Sequence, residues 1–214
     1  MTRVKICGIT RPEDAQAAVD VGADAIGVIF AAESPRCVTP EHAAQVLGGL
    51  PPFVATVGVF VNELAERIAS VARQCGLTVV QLHGEERPSI VDALPGLRIL
   101  RALRVRDRTS LSEMGDWRVA AFVLDAYVPG SRGGTGVPLS VELARKATES
   151  GARVVLAGGL TPESVGDAVA SVRPYAVDAS SGVEERPGVK DRRKMQDFIA
   201  AVREADTAAE GRTR

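Results

Sequence analysis

Eight short apolar runs punctuate the chain, at 4–9, 25–30, 54–61, 79–84, 98–103, 120–126, 153–159 and 175–182. Most are nearly continuous rather than alternating, as parallel strands buried on both faces require. Between them lie stretches with apolar residues at helical spacing, such as PEDAQAAVDVGA, PEHAAQVLGGL, ELAERIASVARQCG and SVELARKATESGA. The pattern predicts eight strands alternating with helices over nearly the whole chain. Threonine and proline mark the helix starts. Thr10-Arg-Pro-Glu13 reads as a capping box, and Thr39-Pro40 and Thr161-Pro162 each place a capping threonine before a proline.

Eight such units fit either a closed (β/α)8 barrel or a doubly wound open sheet. No GxGxxG follows the first strand. Polar residues instead gather at the ends of many strands: Cys7, Gln81 and His83, Arg101, Asp125 and Asp178. A barrel face spreads its chemistry over many strand ends, whereas an open sheet gathers it at one crevice. The expected fold is therefore α/β, a single-domain (β/α)8 TIM barrel over residues 1–205. The polar, Ala/Gly-rich stretch 206–214 is expected to form a flexible tail.

Composition narrows the function. The chain has 214 residues, 45% hydrophobic and 25% charged, with a formal net charge of −1. Nothing in that balance calls for nucleic acid or an anionic membrane surface. No apolar run approaches the ~18 residues of a membrane helix. The first residues have no long apolar region, so no signal peptide is expected. Cys7, Cys37 and Cys75 are widely spaced and form no metal or disulfide pattern. Reduced thiols fit a cytoplasmic protein.

Strand alternation places candidate chemistry. Lys5 and Cys7 share a face, opposite Val4 and Ile6, and should look into the barrel. A buried lysine needs a partner or a ligand, and it favours ionisation of a nearby thiol. Asp125 shares its parity with Val123 and should point to the barrel mouth. It precedes a glycine-rich loop whose Gly133 and Gly134 can bring backbone amides close to a ligand. Strand seven runs into Gly158-Gly159 and strand eight into Ser180-Ser181-Gly182. Those positions in barrels commonly bind phosphate. Arg36, stiffened by Pro35, could grip a carboxylate. His83 fits either a ligand contact or a satisfied interior histidine. Cys37 and Cys75 read as packing or loop residues, and His42 as a surface residue.

The chain resembles the phosphoribosylanthranilate isomerase family of tryptophan biosynthesis. KICGIT at 5–10, SPRCV at 34–38, GVFVN at 58–62, QLHG at 81–84, VLDAYVPGSRGGTG at 123–136, LAGGLTPESV at 156–165 and DASSGVEERPGVKD at 178–191 match its motifs in order. The resemblance implies a (β/α)8 barrel with no cofactor and no metal. The implied partner is a small phosphosugar, with no nucleic acid and no membrane, in a monomer or homodimer. It implies an Amadori rearrangement with Cys7 as general base and Asp125 as general acid. Arg36 would hold the anthranilate carboxylate, and the 158–159 and 180–182 loops the phosphate. Lys5, Gln81, His83 and Asp178 complete the expected substrate-binding set. Val137-Pro138-Leu139-Ser140 departs from the aromatic-acidic step usual in the family. The runner-up is a related phosphosugar isomerase of histidine biosynthesis, or a dual-substrate version, although that chemistry typically has an aspartate where Cys7 stands. A non-catalytic phosphosugar-binding barrel is a third reading.

Overall fold

Eight parallel strands hydrogen-bond in chain order, and the last closes onto the first. They are β1 (Arg3–Ile6), β2 (Ala25–Ile29), β3 (Ala55–Phe60), β4 (Val79–Leu82), β5 (Arg98–Val105), β6 (Ala121–Ala126), β7 (Val154–Leu156) and β8 (Ala176–Ala179). The computed structural model describes residues 1–126 and 140–211. Each strand overlaps one of the apolar runs of the sequence, and the expected (β/α)8 barrel is what forms.

The helices around it are α1 (Pro12–Asp20), α2 (Pro40–Leu47), α3 (Ala65–Cys75), α4 (Val141–Glu149), α5 (Pro162–Val172) and α6 (Arg192–Gly211). The strict alternation fails after β4 and β5, where 3-10 turns at Pro88–Val91 and Arg108–Asp116 stand instead of α-helices. Pro88 and Pro95-Gly96 leave too little chain between them for a helix. In the second segment Asp107 Oδ1 accepts from the Thr109 and Ser110 amides at 2.9 and 3.1 Å, which tightens the first turn. A short antiparallel hairpin, β9 (Glu184–Arg186) and β10 (Val189–Lys190), precedes α6.

Two further expectations are corrected. Thr10 does not cap α1: its hydroxyl donates to the Gly188 carbonyl at 2.5 Å and ties the hairpin down. Asp14 takes over at that helix start, gripped by Arg11 at 2.6 Å and accepting from the Lys190 amide at 3.0 Å. Thr39 does cap α2, accepting from the His42 amide at 3.2 Å. The stretch from 206 is not a tail at its start, because α6 continues to Gly211. Asp206 accepts from both the amide and the hydroxyl of Thr2, at 2.6 and 2.7 Å, so the last helix clamps the first strand.

Outward strand residues such as Val4, Ile6, Ile26, Val28, Val80 and Leu82 pack against Ala15, Val46, Ile68, Val165 and Phe198 of the helices. Inward residues Ala102, Ala121, Val123, Val155 and Ala176 form a separate small-residue cluster inside the barrel. Lys5, Gln81, Asp125 and Asp178 are buried inward-facing polar side chains nearer the strand C-termini. Among the described residues, no helix is long and apolar enough to cross a membrane.

Candidate active site

The C-terminal mouth of the barrel opens into a cavity of about 300 Å³. Cys7 from β1, Gln81 and His83 from β4, Asp125 from β6 and Asp178 from β8 line it, together with Arg36, Gly158-Gly159 and Ser180-Ser181-Gly182. These are most of the residues singled out in the sequence. Ile29, Pro35, Val59, Val61 and Leu160 add an apolar wall fit for a flat ring. Gly133 and Gly134, with positions 137–139 of the family departure, lie outside the described residues. Cys37 is exposed and Cys75 is buried, and neither lines the cavity.

The thiol sits where β2 gives way. A Cβ on Gly27 would lie 2.8 Å from Cys7 Sγ and 3.0 Å from Lys5 Cε, so the glycine makes the space that both side chains occupy. Lys5 lies beneath the cavity rather than on its wall. It donates to Asp178 Oδ2 at 2.6 Å and to Gln81 Oε1 at 2.9 Å. Asp178 is its strand neighbour in β8, and both point inward. Burial works against the Lys5 ammonium, yet Asp178 and Cys7 hold its pKa above 10.5. Burial pushes the Cys7 thiol above 9.0, and Lys5 pulls it back only in part. The expected activation by Lys5 is therefore present but outweighed by desolvation.

Arg36 arrives already held. Its Nε and Nη2 donate to the two oxygens of Glu184 at 2.8 and 2.7 Å, a bidentate pair that fixes the guanidinium plane. Glu184 Oε1 also accepts from Lys190 Nζ at 2.8 Å and from the Gly188 amide at 3.2 Å. Lys190 in turn donates to the Ser180 carbonyl at 3.1 Å. One buried chain thus joins the loop after β2 to the loop after β8. Sequence reasoning missed Glu184 and Lys190. Their signal was a carboxylate and an amine inside the short, glycine-turned GVEERPGVKD segment.

The turns after β7 and β8 meet backbone to backbone, since a Cβ on Gly182 would strike the Leu160 carbonyl. Gly158 and Gly159 have φ of +85° and +67°, values that other residues adopt only with strain. At the adjoining start of α5 the Thr161 amide donates to Ser164 Oγ at 3.0 Å.

Arg101 is not brought to this site. Its parity in β5 is outward, where it bonds Glu86 at 2.7 Å and lies 4.5 Å from the Trp117 ring centroid. Among the described residues, no group of three His, Cys, Asp or Glu side chains is placed to hold a metal ion.

This site stands in a chain with close relatives. The family model for N-(5'phosphoribosyl)anthranilate (PRA) isomerase matches residues 4–201. The chain is 52% identical over 205 residues to N-(5'-phosphoribosyl)anthranilate isomerase of Trichlorobacter lovleyi, covering 96% of this chain and 100% of that one. The phosphoribosyl anthranilate isomerase crystal structure from Thermotoga maritima is 40% identical, with a TM-score of 0.89, covering 95% of this chain and 100% of that one. A crystal structure of a phosphoribosyl anthranilate isomerase in complex with reduced 1-(o-carboxyphenylamino)-1-deoxyribulose 5-phosphate is 39% identical, with a TM-score of 0.86, covering 95% of this chain and 100% of that one. By this match along nearly its whole length, the chain belongs to the N-(5'-phosphoribosyl)anthranilate isomerase family.

Proposed function

We propose that this protein converts N-(5'-phosphoribosyl)anthranilate into 1-(2-carboxyphenylamino)-1-deoxyribulose 5-phosphate, with Asp125 as general acid and Cys7 as general base. The carrying observation is that the two groups reach one cavity from β6 and β1, with the glycine turns of β7 and β8 beside them. The sugar phosphate sits on Gly158, Gly159, Ser180, Ser181 and Gly182. The anthranilate ring lies along Ile29 and Val59, and its carboxylate meets the edge of Arg36 that Glu184 leaves open.

The chemistry needs both groups. Asp125 gives its proton to the ring oxygen as the C1–O bond breaks, because an alkoxide leaves poorly. The anthranilate nitrogen supplies the electron pair that forms the C1=N bond. The resulting cation acidifies the C2 proton, which the Cys7 thiolate removes. The C2–H electrons form a C1=C2 bond, and the C=N pair returns to nitrogen. The enolamine then loses its O2 proton and gains one at C1, giving the ketone. Cys7 ends with one extra proton and Asp125 with one fewer, and exchange through solvent restores them. The cation formed in the first step also favours the thiolate when it is needed.

Three free cysteines fit a reducing compartment, so we place the enzyme in the cytoplasm. The test is turnover of phosphoribosylanthranilate followed by loss of its fluorescence. Cys7→Ser and Asp125→Asn should each lose roughly 10²–10⁴-fold in rate. Near-normal kcat in both would overturn the assignment.

A further inference from the structure

Four side chains span the barrel interior in one polar run. Lys5 Nζ donates to Gln81 Oε1 at 2.9 Å. Gln81 Nε2 stands 3.2 Å from His83 Nδ1, and His83 Nε2 stands 3.4 Å from Asp125 Oδ2. Direction can be read along this run from chemistry alone. An ammonium has donors and no acceptor, so the Gln81 oxygen must face Lys5. The Gln81 NH2 then faces His83, and Nδ1 must accept. A neutral imidazole with an accepting Nδ1 carries its proton on Nε2. That nitrogen stands 3.4 Å from Asp125 Oδ2 without hydrogen-bonding it.

We propose that Lys5 and Gln81 fix His83 as the Nε2–H tautomer, and that His83 holds Oδ2 of Asp125 so that Oδ1 presents the proton to the sugar ring oxygen. His83 is a positioning residue. The tautomer follows from the contacts, while its use for catalysis rests on the isomerase reading. Asp178 anchors the far end by keeping Lys5 charged at 2.6 Å. Among the described residues, His83 Nε2 is buried and has no hydrogen-bond partner. Contacts of this kind tighten when substrate closes the site. As Asp125 gives up its proton, charge develops on its carboxylate, and a fixed N–H beside it stabilises that charge.

The chain has only two histidines, so the imidazole nitrogens can be assigned by ¹⁵N NMR with a His42→Asn variant. The expected result is an unprotonated Nδ1 and a protonated Nε2 on His83. A proton on Nδ1 in the native enzyme overturns the inference. Gln81→Glu offers an acceptor on both sides and should move the proton to Nδ1. Kinetics supply the second readout. His83→Gln places an amide nitrogen near the lost Nε2, whereas His83→Asn places one near the lost Nδ1. At similar KM, His83→Gln should keep a kcat at least about tenfold above His83→Asn. Equal kcat values overturn the positioning role even if turnover is confirmed. A wild-type chain with no turnover overturns the isomerase reading and leaves the NMR result standing.

Discussion

Arg36 and Glu184 meet edge to edge across 148 residues of sequence, Nε to Oε1 at 2.8 Å and Nη2 to Oε2 at 2.7 Å. The pair orients the guanidinium before any substrate arrives, so the carboxylate it is proposed to grip meets a fixed surface. Glu184→Gln leaves Arg36 and the fully buried Lys190 sharing a neutral acceptor. Breaking a buried pair from one side costs about 3–5 kcal/mol. Urea unfolding should show that loss, and kinetics should show KM rising more than kcat falls. An unchanged KM would mean that Arg36 does not bind substrate from this position.

The same carboxylate predicts acid sensitivity. Burial disfavours its charge, yet Arg36 and Lys190 hold its pKa below the usual 4.5. Unfolding returns it to the ordinary value, so the folded state gains in full from this group only where the unfolded carboxylate is also ionised. The stabilisation is whole above that ordinary value and is lost as pH falls through the folded one. The urea midpoint should therefore drop between about pH 6 and pH 3 by more in the parent than in Glu184→Gln. Parallel curves would refute it.

Lys5 and Cys7 give a chemical readout. Burial pushes the thiol above 9.0 while Lys5 pulls it down. Removing the amine in Lys5→Met should raise the thiol further. In a Cys37→Ser, Cys75→Ser background, the pH profile of iodoacetamide labelling at Cys7 should shift upward in Lys5→Met. A downward shift would show that Lys5 does not stabilise the thiolate.

What the sequence made legible follows from interaction range. The strands were readable because two-sided burial writes itself as continuous apolar runs. Cys7, Lys5 and Asp125 were placed on the inner face by a period of two residues. The helices expected after β4 and β5 failed because turn chemistry at Pro88 and Asp107 overrode the alternation. Thr10 was misread because its true acceptor, the Gly188 carbonyl, lies 178 residues away. The Arg36–Glu184 clamp was invisible for the same reason: local pattern identifies a charge but not its distant partner. Lys5 does pull the thiol's pKa down as its place beside Cys7 suggested, but the larger upward push of desolvation depends on the closed barrel, which one neighbouring lysine does not reveal.

Gly27 tests how closely the proposed base, Cys7, must be placed. An alanine there would meet Cys7 Sγ at 2.8 Å and Lys5 Cε at 3.0 Å, so both must move. A displacement near 1 Å at the reacting centre costs roughly 10²-fold in rate. The glycine turns that are proposed to hold the phosphate follow β7 and β8, and the atoms nearest an added Cβ at Gly27 belong to Cys7 and Lys5 instead. Gly27→Ala should therefore lower kcat by about that factor with little change in KM. Normal kcat would show that the sulfur position is not critical.

Arg101 discriminates support from chemistry. It lies in the middle of β5, and its side chain turns outward to Glu86 at 2.7 Å and over Trp117. Glu86 is itself buried and accepts from the Gly84 and Asn62 amides at 2.9 and 2.8 Å, so Arg101 neutralises a charge that organises the β4 loop. Arg101→Met strands that carboxylate and should cost about 3–5 kcal/mol of stability. The enzyme that remains folded should keep kcat and KM near the parent values, because Arg101 is not among the described residues that line the cavity. Denaturation and steady-state kinetics on the same preparation separate the outcomes. A lowered melting temperature with intact kinetics fits a supporting role, whereas lost turnover at full stability would bring Arg101 into the reaction.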